Sequence, residues 1–276
     1  MWTFFGLFLL LQNGHDNLEP TDRLVPAGFQ GNAWGPEANE ARKTGELPPL
    51  PVTSPMKGWD TWGKANLKEG DLLFRRGDAR ILFGTFPVSR FIANFTGSRY
   101  SHTGTVLIEN DVPFVYDMTK AGVRRQPFRV WILDNVTDLG VRRLKPEWSD
   151  RIPRIKAYLL DIYVRQVPFD YDLGLDDSEL YCIEMAEKAF RAAGLKLSEP
   201  VRLGDLENAG SFPICVFVFS RTTSLNLDKY VFLPGNDHNG MWSSPLMTTV
   251  YPIETEPRKT VADEQKKPSE EQKTHF

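Results

Sequence analysis

The chain has 276 residues, 41% of them hydrophobic, enough to bury one sizeable core. Its 33 Lys and Arg against 36 Asp and Glu leave a net charge of -3, which gives no electrostatic basis for a nucleic-acid partner. Two cysteines cannot build a disulfide framework, and the sequence has no CxxC, HExxH, GxxxxGK[ST] or GxGxxG motif to support a structural zinc or nucleotide site.

Residues 1–18 open with MWTFFGLFLLL, an apolar run too short to span a bilayer but about as long as the core of a signal peptide. We read it as an export signal or membrane anchor, which would make the protein exported or membrane-associated. A terminal strand or helix packed on a cytoplasmic domain is the alternative. Residues 19–58 are rich in Pro and Gly, and ELPPLPVTSP reads as extended, polyproline-like chain, a linker or surface wrap. Residues 59–253 are the expected folded domain. Residues 254–276 carry mixed charge and few bulky apolar groups, so they are expected to be disordered.

Within the domain, GDLLFRRG predicts a short strand. RILFGTFPVSRFIANFTG has helical spacing, broken or started by Pro87. HTGTVLIEN predicts a buried strand and VPFVYDMT a second one, joined by a turn at Asn110-Asp111. GVRRQPFRVWIL and DLGVRRLK predict further strands. SDRIPRIKAYLLDIYVRQ predicts a helix with Pro153 in its first turn. DDSELYCIEMAEKAFRAAG is the clearest helix, and ICVFVFS reads as a buried strand. A run of strands followed mostly by helices is an α+β pattern.

In that clearest helix Cys182, Met185, Ala186, Ala189, Phe190 and Ala193 form one apolar face. A cap at Asp176 or Ser178 would put Cys182 in the first or second turn. A buried cysteine there can be a plain hydrophobe. It can also be a nucleophile, because a helix start carries partial positive charge that favours the thiolate. Cys215, in ICVFVFS, reads as strand core.

A catalytic thiol needs a base and a group that orients the base. Of the four histidines, His15 and His275 lie in the terminal segments and His238 in a polar loop, which leaves His102 at the head of a buried strand. Asp117 sits in the middle of an apolar strand, where a carboxylate is costly without a partner. If the two strands pair through the short turn, Asp117 comes near His102. A zinc site built from His102, Asp117 and Cys182 is a weaker alternative, having three ligands and no recognisable motif.

GDLLF, SRYSHTGTVL, PFVYDMTKAGVRRQPF and FDYDLGLDDSELYCIEMAEKAFRAAGL, in this order, resemble the YiiX-like family of cysteine hydrolases. These belong to the circularly permuted branch of the NlpC/P60 papain-like superfamily. The resemblance covers about Leu67 to Leu195. It implies a papain-like core in which a cysteine-bearing helix packs on an antiparallel sheet. It implies Cys182 as nucleophile, His102 as base and Asp117 as third member, a place where relatives often carry Glu. Tyr181, Tyr100 and Ser101, beside the nucleophile and base, are expected to contact substrate. The implied activity is a thiol hydrolase or acyltransferase that needs no cofactor or metal. Its substrate is expected to be a cell-wall peptide or peptidoglycan fragment, or alternatively an acyl lipid. A non-catalytic module retaining the fold is the rival outside enzymes.

Overall fold

The computed structural model describes residues 32–77, 88–134, 136–211 and 226–251. Among these residues the strands are β1 Leu72–Gly77, β2 His102–Glu109, β3 Val112–Thr119, β4 Gly122–Pro127, β5 Val136–Leu144, β6 Val201–Arg202, β7 Tyr230–Val231 and β8 Met247–Tyr251. The α-helices among them are α1 Pro36–Thr44, α2 Ser54–Asn66, α3 Val88–Phe95, α4 Phe128–Trp131, α5 Ile152–Arg165 and α6 Cys182–Ala192. The main sheet is six-stranded and antiparallel, in the order β4-β3-β2-β1-β5-β8. This is an α+β fold. Among the described residues no helix is long and apolar enough to cross a membrane.

The β2–β3 hairpin forms where alternation and turn chemistry put it. Asn110 and Asp111 take φ of 49° and 62°, the left-handed conformation that a two-residue hairpin turn demands and these side chains tolerate. The register sets Gly104 opposite Asp117. A Cβ on Gly104 would come within 2.5 Å of Val115 and 3.3 Å of Asp117 Cβ, so the missing side chain gives the aspartate its room.

Strand alternation sorts residues onto two faces. One face presents Leu72, Phe74, Leu107, Tyr116, Met118 and Val123 to α5 and α6, where Leu159, Ile162, Met185, Ala189 and Phe190 complete the larger core. Phe190 is fully buried, and truncating such a ring to alanine typically costs about 3–5 kcal/mol. The other face presents Leu73, Val106, Val115 and Val141 to Phe128 and Trp131, with Trp59 and Trp62 of α2 packed behind.

Three expectations change. Part of 19–58 is helical: prolines sit in the first turns of α1 and α2, where a missing N–H costs nothing, and Trp34 just before α1 is fully buried. GVRRQPFRVWIL is a strand only to Pro127, after which one helical turn follows, because proline offers no N–H to extend the ladder. In RILFGTFPVSRFIANFTG the described residues form the expected helix over Val88–Phe95, after Pro87; Phe95 joins the larger core and stacks on Phe91, with ring centroids 5.5 Å apart. The long C-terminal helix begins at Cys182, with Tyr181 as its cap in place of Asp176 or Ser178. The ICVFVFS segment lies outside the described residues.

Candidate active site

The site is built at the end of the sheet where β2 begins. Tyr181 caps α6 in an extended conformation (φ -98°, ψ 169°). Its hydroxyl accepts from the Phe232 N–H at 2.6 Å, and its own N–H donates to Glu184 Oε2 at 3.3 Å. Cys182 is therefore the first residue of the helix, half-buried, among backbone N–H groups that have no carbonyl partner within the helix. α6 packs on β2 and β3, and the Thr103 hydroxyl donates to the Cys182 carbonyl at 3.0 Å. That bond ties the helix start to the strand end where His102 stands.

His102 lies on the opposite sheet face from Thr103, beside Asp117. Its Nε2 and Asp117 Oδ2 are 2.7 Å apart. Asp117 is fully buried and heavily bonded. Arg124 donates from Nε to Oδ1 at 3.0 Å and from Nη2 to Oδ2 at 2.7 Å, and Trp131 Nε1 donates to Oδ2 at 2.8 Å. Burial alone would raise the Asp117 carboxyl, but the Arg124 charge and the bonds from His102 and Arg124 hold it well below the usual carboxylate range. Facing a carboxylate, His102 Nε2 carries the proton, which leaves Nδ1 free to accept one.

Burial pushes the His102 imidazole down to about 4, helped by the Arg75 charge and opposed by Asp117. Burial also pushes the Cys182 thiol up to about 12, with Asp117 adding to the rise, while the N–H groups of Ile183 and Cys182 pull the other way. The field expected at the helix start is present, and desolvation opposes it. Both shifts favour the neutral forms of the thiol and the imidazole. Among the described residues no hydrogen bond joins them, a looseness common in sites without substrate.

The structure brings His102 and Asp117 into contact and sets Cys182 at the same sheet end. It does not present the three expected substrate contacts. Tyr100 is fully buried and leans over Gly140. Ser101 is buried, with its N–H bonded to the Arg75 carbonyl at 3.0 Å. Tyr181 is buried and tied to Phe232. Only Tyr181 and Ser101 adjoin a candidate site residue in the chain, Cys182 and His102, and both are buried. His238 lies exposed in its loop. His15, His275 and Cys215 lie outside the described residues.

Arg124, Trp131, Arg75 and Asp134 escaped the sequence reading. A signal for Arg124 existed: a carboxylate inside an apolar strand requires a cation, and VRR opens the next strand.

Comparison with known proteins agrees with this architecture. The chain is 27% identical over 203 residues to the YiiX protein of Escherichia coli (strain K12), covering 73% of this chain and 91% of that one. The crystal structure of the metalloprotein YiiX from Escherichia coli O157:H7 superposes with a TM-score of 0.56 at 23% identity, over 67% of this chain and 96% of that one. Residues 66–251 match the family described as "permuted papain-like amidase enzyme, YaeF/YiiX, C92 family". The chain belongs to the permuted papain-like amidase family.

Proposed function

We propose that the protein is a cysteine amidase in which Cys182 is the nucleophile, His102 the general base and acid, and Asp117 the group that orients His102. One observation supports this above the others: the 2.7 Å His102–Asp117 contact stands at the strand end to which Thr103 ties Cys182. The Cys182 sulfur attacks the carbonyl carbon of an amide while its proton passes to His102 Nδ1. A lone thiolate or imidazolium is costly at this site, but formed together they offset one another's charge. The Cys182 N–H is a donor for the developing oxyanion. Collapse expels the amine, which takes the proton from His102 and leaves a thioester. Water, deprotonated by His102, then attacks the thioester, releasing the acid and restoring the thiol. A short peptide amide of the cell-wall type is the proposed substrate.

The O157:H7 relative is named a metalloprotein. The donor set of this chain does not fit a metal held by His102, Asp117 and Cys182. Asp117 Oδ2 already meets His102, Arg124 and Trp131, and Oδ1 takes the Arg124 Nε–H.

The test is hydrolysis of a panel of peptidoglycan peptides and acyl esters, together with site-resolved alkylation of Cys182 by iodoacetamide. Cys182→Ala is expected to abolish turnover. His102→Ala is expected to slow both turnover and alkylation at pH 7 by about a hundredfold or more. Full hydrolysis by Cys182→Ala would end the proposal. Turnover of long-chain acyl esters with no turnover of any peptide amide would move the substrate class to acyl lipids.

A further inference from the structure

Behind the His102–Asp117 pair lies a second layer of charge. Arg124 on β4 is 1% exposed and stands directly across from Asp117 in the β3–β4 register. Two arms of its guanidinium grip the two oxygens of Asp117. The third, Nη1, donates to Asp134 Oδ2 at 3.0 Å. Asp134 follows α4 and is itself buried. Arg75 on β1 closes the layer. Its Nη1 lies 3.3 Å from the carbonyls of both Trp131 and Asp134 and 3.5 Å from Asp134 Oδ2, and its guanidinium lies 4.6 Å from the Trp131 ring centre. Trp131, held by Arg75, in turn donates to Asp117 Oδ2.

We propose that Arg124 is the positioning residue of this site. It fixes the Asp117 carboxylate so that Oδ2 faces His102 Nε2, and Asp134, Trp131 and Arg75 fix Arg124 and the carboxylate in turn. This rests on the reading of His102 as the base. The geometry explains why arginine is needed. A planar fork can hold two carboxylate oxygens and a second acid at once, whereas lysine offers one point charge. Without the fork the carboxylate can rotate, and the imidazole loses the contact that selects the Nε2–H tautomer. Nδ1 is then no longer reliably free to receive the thiol proton. The charged or titratable groups around His102 are Arg75 on β1, Asp117 on β3, Arg124 on β4, Asp134 after α4 and Cys182 on α6. The two arginines disfavour its protonation and Asp117 favours it.

The test compares Arg124→Lys and Asp134→Asn with Arg125→Lys as a matched control one residue away. The first readout is the tautomer of His102 from imidazole 15N shifts, identified by the signal lost in His102→Ala. The second is the iodoacetamide rate at Cys182 between pH 5 and 9. Arg124→Lys is expected to mix the two tautomers and to lower the His102-dependent alkylation rate by about a hundredfold, the usual cost of a misplaced catalytic group. Asp134→Asn should do the same more weakly, and Arg125→Lys should change neither. If Arg124→Lys fails to fold, Asp134→Asn decides. Folded variants that keep both the wild-type tautomer and the alkylation profile would overturn the proposal. If instead His102→Ala leaves wild-type alkylation unchanged, the base assignment fails, while the tautomer still reports on Arg124.

Discussion

Arg124 and Arg125 are neighbours on β4, yet they serve opposite faces of one sheet. Each grips a carboxylate with more than one nitrogen: Arg124 holds Asp117, and Arg125 holds Glu109 from Nε at 2.8 Å and from Nη2. The surroundings differ. The Arg124–Asp117 side chains are 1% and 0% exposed, against 15% and 27% for Arg125–Glu109. One pair is sealed between β3, β4 and α4 and continues to His102. The other lines an open pocket of about 430 Å³ between the sheet, α1 and α5. The same chemistry is thus a rigid support at one site and a rim contact at the other, and burial makes the difference.

The largest predicted contrast is in stability. Asp117→Ala leaves Arg124 buried without its main partner and is expected to cost about 3–5 kcal/mol along with nearly all activity. Glu109→Ala removes a partly solvated pair and is expected to cost about 1 kcal/mol or less. Urea melts of both variants check this. Equal losses would mean that the two ends of the hairpin bear similar load, contrary to their burial.

A second contrast is in acid sensitivity. The folded pKa of His102 lies below its ordinary 6.5, at about 4, so neutral His102 contributes stability in full above pH 6.5 and loses it as pH falls toward 4. Asp117 acts in the same direction at lower pH, contributing fully above its ordinary 3.8 and losing that contribution in stronger acid. In His102→Gln, the drop in Tm between pH 6.5 and 4 should flatten by the equivalent of roughly 2–3 kcal/mol. An unchanged slope would show that the imidazole is better solvated than its surroundings imply.

These contrasts also show how far the sequence could be read. The hairpin was legible, because Asn110-Asp111 and the alternation on either side leave one register. That register delivers His102 and Asp117 together, so two of the proposed site residues followed from local pattern. Arg124 did not. Alternation says that Arg124 and Arg125 face apart, but only the packed sheet says which face is sealed by Trp131. The cap of α6 was hidden for a similar reason. Tyrosine is a poor intrinsic cap, and it holds the position here through its contacts with Phe232 and Glu184, far and near in the chain. The helices α1 and α2 were masked by prolines that sit inside helix starts, and Tyr100, Ser101 and Tyr181 owe their burial to contacts no local pattern reveals.

Glu184 sharpens the comparison, because it is a buried carboxylate without a fork. Among the described residues its Oε1 meets the single charge of Lys188, at 2.9 Å, and Oε2 accepts the Tyr181 N–H. Burial pushes its carboxyl up to about 7, where the forked Asp117 is held far down. The sign is therefore opposite to that of His102. A carboxyl raised above its ordinary 4.5 favours the folded state fully below pH 4.5 and loses that contribution as pH rises through about 7. Glu184→Gln keeps an acceptor for the cap and removes the charge. Its stability relative to wild type should therefore improve between pH 5 and 8, by about 1–2 kcal/mol or a few degrees in Tm. The difference between the two proteins cancels the contribution of His102, which both retain. If the difference stays flat with pH, one lysine satisfies a buried carboxylate as well as a guanidinium does, and the fork at Asp117 must then be explained by orientation of His102 rather than by charge.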